Sequence, residues 1–289
     1  NETGGDNPSE AELSRRGMLS LLGLGATATV VAACGGGGAS SGGSAASSSS
    51  SAGAATTTSA AAAAGGVADL EIPDETNGPY PADGSNGPDI LEQSGVVRRD
   101  ITTSFGGATG VAAGVPLTFS FTVTDMANGN APFEGAAVYA WHCDAEGGYS
   151  MYSAGLENEN YLRGVQVADA AGVVTFTSIF PGCYTGRYPH IHFEVYPDVD
   201  SIVDHANCIA TSQAALPEDA CNDVYNNEAL YAASIRNFAN TSIETDNVFG
   251  PDTIDQQMLS LSGDRRSGFS GSLLVPVDTT TIPSRSRRG

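Results

Sequence analysis

Leu117-Thr-Phe-Ser-Phe-Thr-Val-Thr124 alternates apolar and hydroxyl-bearing residues without a break. In an extended chain Leu117, Phe119, Phe121 and Val123 fall on one side and Thr118, Ser120, Thr122 and Thr124 on the other, the two-residue period of a strand with one buried face. Residues 136–143 and 173–180 read in the same way, and Asp169-Ala-Ala-Gly172 supplies a turn before the second of these. From about Leu70 onward the chain keeps this texture of short runs punctuated by Gly, Asn, Asp and Pro. Helical character is expected only late, over 228–238 and 253–261, before a last strand at 273–277. The expected fold class is all-β, an antiparallel β-sandwich with a few short helices in its C-terminal part.

The first part of the chain reads differently. Ser14-Arg-Arg-Gly-Met-Leu19 leads into a short apolar run that ends in Val31-Ala-Ala-Cys34. The charged-then-apolar order resembles a twin-arginine export signal, and the run is short for a membrane span. Its end resembles a lipobox, so Cys34 is expected to carry a lipid and the protein to be exported, at the cell surface or in the periplasm. Residues 35–69 are dominated by Gly, Ala, Ser and Thr and cannot bury enough apolar surface to order themselves. They are expected to form a disordered tether with a reach of roughly 30 Å. The expected layout is an export segment at 1–34, a tether at 35–69, a folded domain at 70–280 and a flexible tail at 281–289.

The formal net charge is -21, and all 12 basic residues are arginines. Such a surface repels nucleic acid and anionic membranes, so a nucleic-acid partner is excluded and membrane contact is expected only through Cys34. Oligomeric state is not legible. Of the 5 cysteines, the four after Cys34 form an even set. In an oxidising compartment they are expected to make two disulfides; Cys208 with Cys221 and Cys143 with Cys183 is one pairing among those the sequence leaves open.

The chemistry concentrates in Pro181-Gly-Cys-Tyr-Thr-Gly-Arg-Tyr-Pro-His-Ile-His-Phe-Glu-Val195. On a strand, His190 and His192 share a face opposite Ile191, Phe193 and Val195, so both imidazoles can reach one ion. A His-x-His pair is weak evidence alone, although the chain has only 4 histidines. The segment joins Thr76-Asn-Gly-Pro-Tyr80, Trp141-His-Cys-Asp-Ala-Glu-Gly-Gly-Tyr-Ser150, Tyr161-Leu-Arg-Gly164 and the turn at 169–172. In this order the motifs resemble those of the intradiol ring-cleavage dioxygenases.

The resemblance implies an iron(III), Fe(3+), held by Tyr149, Tyr184, His190 and His192, with dioxygen and a catechol-type aromatic as substrates. The ring would open between its two hydroxyl-bearing carbons to a muconate-type diacid. Hard phenolate donors suit ferric iron, whereas a ferrous facial triad would need a carboxylate. By the same resemblance Tyr184 is the labile tyrosinate that takes a proton from the substrate, Arg187 stabilises charge developing on the ring, and Gln213 hydrogen-bonds to Arg187 or to the substrate. Tyr139 and Trp141 read as core, and His142 and His205 as structural or surface residues. Two other readings compete: an inactive cell-surface β-sandwich that binds a ligand, and a zinc hydrolase on the two histidines, for which tyrosines are poor donors. Residues 218–263 match nothing in the motif series.

Overall fold

The computed structural model describes residues 70–281. The proposed export segment, Cys34 and the tether lie outside the described residues, as does most of the proposed tail. No helix among the described residues is long and apolar enough to cross a membrane.

Among the described residues nine strands make two sheets packed face to face. They are β1 Pro116–Asp125, β2 Ala131–Pro132, β3 Ala137–Trp141, β4 Arg163–Val167, β5 Val173–Ile179, β6 His190–Tyr196, β7 Ala210–Ala215, β8 Ser260–Asp264 and β9 Gly268–Val277. One sheet runs β2-β1-β9-β8 with β5 also on β1, and the other β4-β3-β6-β7. All pairs are antiparallel except β1 with β9, which run parallel with Leu117 opposite Phe269 and Asp125 opposite Val277. The expected sandwich is therefore present, closed by one parallel seam between an early strand and the last.

Alternation explains the core. Leu117, Phe119, Phe121 and Val123 of β1 meet Val138 and Ala140 of β3 and Ile191, Phe193 and Val195 of β6 in one buried cluster. The rings of Phe121 and Phe193 lie 4.6 Å apart across the two sheets. The second sheet is buried on its other face as well. Ala137, Tyr139, Trp141, Val165 and Tyr196 pack under Ala82, Ile90, Leu91 and Val96 of the segment that precedes β1. The strands β3 and β6 are consequently buried along their whole length, and the face that carries His190 and His192 is covered, not solvated.

The helical expectations need correction at two places. Over 228–238 a 3-10 turn at Ala229–Tyr231 runs into α2, Ala232–Phe238. Ahead of it lies the unexpected α1, Glu218–Asn227, with Glu218 and Asp219 in its first turn and Ala220, Cys221, Val224 and Tyr225 buried. Acidic residues in the first turn complement the helix dipole, and that signal was present in the sequence. Over 253–261 only α3, Ile254–Gln257, is helical; from Ser260 the chain joins β9 as a strand and completes a hairpin.

The disulfide expectation is also overturned, since Cys143, Cys183, Cys208 and Cys221 are all free and buried. Cys208 belongs to the cluster on the outer face of the second sheet, whereas Cys221 sits in the sandwich core. Their thiols are directed to carbonyls, that of Cys208 to Ala210 at 3.0 Å and that of Cys143 to Gly182 at 3.4 Å.

Candidate metal centre

Four side chains from three stretches converge on the covered face of the second sheet. His190 and His192 project from β6 with their Nε2 atoms 3.0 Å apart. His190 Nδ1 faces the Tyr188 carbonyl at 2.5 Å. A carbonyl only accepts, so Nδ1 carries the hydrogen and the Nε2 lone pair points into the centre, the arrangement usual for a metal-bound imidazole. Trp141 lies flat on His192, ring centroids 4.8 Å apart and planes 3° from parallel. The tryptophan read as plain core is therefore also the wall that fixes a histidine.

Tyr149 arrives on the turn after β3. Asp144 accepts from the N–H groups of Glu146 and Gly148 through one carboxylate oxygen and so shapes the turn. Buried Arg163 then grips the next residue, donating from Nε to Ser150 Oγ at 3.0 Å and from Nη2 to the Ser150 carbonyl at 2.9 Å. Tyr184 arrives on the loop before β6, and α2 secures that loop. Ser234 Oγ accepts from Cys183 N, and Asn237 Nδ2 donates to the Cys183 carbonyl. Tyr184 Oη lies 3.3 Å from His190 Nε2, and its ring meets Tyr149 edge-on at 5.7 Å. Above the site, Gly78 passes so close that a Cβ there would lie 3.2 Å from His192 Cε1, and the Tyr80 ring packs against that of Tyr149, tilted by 33° at 4.8 Å. The Asn-Gly-Pro-Tyr motif is thus a lid on the donor set.

Burial dominates the electrostatics. It holds His190 and His192 well below the ordinary imidazole range, helped by the Arg187 cation, and pushes the phenols of Tyr149 and Tyr184 up, the latter to about 12 against the pull of Arg187. Four neutral donors packed together are an incomplete site. The Tyr149 hydroxyl is buried beside the Tyr184 phenol but makes no hydrogen bond of good geometry among the described residues. Such an orphan costs free energy unless something else satisfies it, and a bound cation would both do so and reverse the pressure on the phenols. Among the described residues no group of three or more His, Cys, Asp or Glu could hold a metal, so the phenols are needed to complete a donor set with the two imidazoles. The residues present therefore fit a hard, highly charged ion.

Arg187 and Gln213 also reach the site. Arg187 donates from Nη2 to Gln213 Oε1 at 2.5 Å, and Gln213 Nε2 donates to the Thr76 carbonyl at 2.9 Å. Arg187 further makes an ion pair with Asp246 at 3.0 Å. Asp246 and the nearby Phe249, whose ring stands edge-on to His190 at 6.2 Å, were not legible beforehand. They come from an irregular stretch with no periodic pattern, more than fifty residues beyond the donors. Of the other two histidines, His142 is buried and structural and His205 is partly exposed.

Comparisons with known proteins agree with this geometry. Residues 86–199 match a family model described as Dioxygenase, a segment that contains all four donors and Arg187. An intradiol ring-cleavage dioxygenase from Tetranychus urticae superposes with a TM-score of 0.57 at 21% identity, covering 74% of this chain and 98% of its own. The dioxygenase domain of a dioxygenase carbohydrate-binding fusion from Streptomyces sp. SirexAA-E gives 0.47 at 23% identity, covering 72% and 99%. At these identities the likeness to the mite enzyme is one of fold. The dioxygenase match thus lies over the donor segment, and the fold around it is similar to that of the intradiol ring-cleavage dioxygenase from Tetranychus urticae.

Proposed function

We propose that the protein is a non-haem iron(III) dioxygenase that opens a catechol-type ring between its two hydroxyl-bearing carbons, using dioxygen and giving a muconate-type diacid. The observation that carries this reading is the convergence of two imidazole Nε2 atoms, the buried Tyr149 phenol and the partly buried Tyr184 phenol, with the Tyr149 hydroxyl lacking a well-formed hydrogen bond. Tyr149, Tyr184, His190 and His192 would hold the ion. A ferric ion held there supplies an electron-poor centre that a catecholate can chelate and that lets the ring react with dioxygen.

The chain's own residues do the rest. Tyr184 is the less buried of the two phenols, and its Oη is the atom suited to take a proton from an incoming catechol hydroxyl. Tyr149, locked by the Ser150 clamp of Arg163, stays in place. Arg187 presents a guanidinium fixed on two sides by Asp246 and Gln213, pre-set for negative charge that develops on the substrate. The Gly78–Tyr80 cover excludes water from the donors.

The test is the colour and turnover of the isolated protein. Iron-loaded protein should show tyrosinate-to-iron(III) charge-transfer absorption that Tyr149→Phe or Tyr184→Phe shifts or weakens, and a panel of catechols should give oxygen uptake with muconate formation. A colourless protein fully occupied by zinc would refute the metal assignment. Coloured protein that turns over no catechol would favour the inactive binding module. We propose further that the domain works outside the cytoplasm, held by a lipid on Cys34, which mass spectrometry of membrane-extracted protein checks directly.

A further inference from the structure

Arg187 does not stand alone beside the donors. The side chain of Asp246 is fully buried. Its Oδ2 accepts from Arg187 Nε at 3.0 Å and from Tyr188 N at 2.6 Å, and its Oδ1 accepts from Val248 N and Phe249 N. A second carboxyl, that of half-buried Glu75, accepts from Gln257 Nε2 at 3.4 Å and lies within electrostatic reach of both Arg187 and Asp246, with Asp74 beside it. Burial pushes the Glu75 carboxyl up to about 7, as expected for an acid crowded by other acids in a poorly solvated place. A single guanidinium is thus paired with the Asp246 carboxylate and has the Glu75 carboxyl within electrostatic reach, in a chain of net charge -21.

The consequence concerns the substrate. An unpaired arginine in a substrate pocket attracts an anionic substituent, whereas one already neutralised by a buried carboxylate offers direction without net charge. An anionic group brought close to Arg187 would also come under the charge of Asp246 and of Glu75, and buried like charges repel far more than the same pair in water.

We propose that Asp246 is a positioning and specificity residue: by orienting and neutralising Arg187 it makes the site select catechols without an anionic ring substituent and reject those that bear a carboxylate. This rests on the dioxygenase reading above and adds the substrate class to it.

The experiment compares three ligands of similar size, 4-methylcatechol, 3,4-dihydroxybenzoate and 3,4-dihydroxybenzylamine. Each is titrated without oxygen into the iron-loaded full chain at about pH 8, above the Glu75 range, and followed by the charge-transfer band. The benzoate should bind on the order of tenfold or more weaker than the neutral catechol, while the amine binds about as well as the neutral one. Asp246→Asn should narrow the gap between benzoate and methylcatechol about threefold or more with the iron band retained. An amide nitrogen facing backbone N–H groups strains that loop, so Glu75→Gln, which leaves Asp246 in place, is the second variant and should move the ratio in the same direction. General damage to the fold would weaken all three ligands together and leave their ratio alone. Equal binding of benzoate and methylcatechol by the wild type overturns the proposal, as does an unchanged ratio in both variants with the band intact. If no catechol of any charge perturbs the band, the dioxygenase reading itself fails, a different and recognisable result.

Discussion

Arg187 shows how one side chain can carry both structure and chemistry. Because Asp246 is buried against it, Arg187→Ala should remove a charge-stabilising donor and also strand a buried carboxylate. The first effect is expected to lower turnover on the order of a hundredfold, the second to destabilise the fold by about 3 kcal/mol. Iron content per folded molecule should stay near wild type, since Arg187 is not among the four donors. Wild-type turnover in the variant would reject its role. His142 is a purely structural counterpart. The Cys143 carbonyl at 2.7 Å requires a hydrogen on Nδ1, and Nε2 then accepts from Ser178 Oγ at 2.7 Å, which leaves no room for a second proton. Burial pushes this imidazole down to about 4, whereas in the unfolded chain it titrates near ~6.5. As pH falls below the unfolded value the unfolded state binds the proton first, so the stability His142 contributes is present at neutral pH and lost progressively toward pH 4. His142→Gln should flatten the dependence of unfolding free energy on pH in that window by about one proton; an unchanged slope would show that other groups govern it.

Among the elements, the turn that carries the chain from β4 in one sheet to β5 in the other is the most tightly specified. Asp169 accepts from Ala171 N and Val173 N through one carboxylate oxygen, and Gly172 sits at φ +74 with its carbonyl receiving Val123 N. A Cβ on Gly172 would lie 2.3 Å from the Val123 carbonyl oxygen, so Gly172→Ala combines left-handed strain with a backbone clash. It should cost roughly 2 kcal/mol or more, read as a lower denaturant midpoint at unchanged slope. A variant as stable as wild type would mean that the turn can rearrange. That turn was legible in sequence because Asp and Gly act on their own neighbours, and β1 was legible because its outer face is solvated and its alternation unbroken. The last third was harder. Helix was expected over 253–261, but only α3 at its start is helical, and pairing with β9, a tertiary event, decides the fate of the residues from Ser260 on. The four candidate donors could be singled out in the sequence because they sit in a series of local motifs. Asp246, Glu75 and Phe249 could not, since they meet Arg187 from distant parts of the chain and no local spacing encodes such a meeting.

For the whole molecule the donor set acts as a knot that draws remote segments together. The lid at 76–80, the Tyr149 turn, the Tyr184 loop with β6, Gln213 of β7 and the Asp246–Phe249 stretch all close on one point. Without a cation that point is costly, because the Tyr149 hydroxyl is buried without a well-formed hydrogen bond among the described residues, and such a group costs about 1–3 kcal/mol. An ion that binds only the folded chain stabilises it by mass action, about 2.7 kcal/mol at a hundred times its dissociation constant. For a domain of this size each kcal/mol moves the unfolding temperature by roughly 2–4 °C, so iron-loaded protein should melt about 5–10 °C above chelator-stripped protein. Tyr149→Phe distinguishes this from a nonspecific effect of metal. It removes the orphan hydroxyl and one donor together, so the stripped variant should be at least as stable as stripped wild type, while the gain on adding iron should shrink. Equal melting temperatures for loaded and stripped wild type, with elemental analysis confirming full occupancy and none respectively, would show that the centre is not where the fold and the metal meet. A gain that survives Tyr149→Phe undiminished would place the ion elsewhere in the chain.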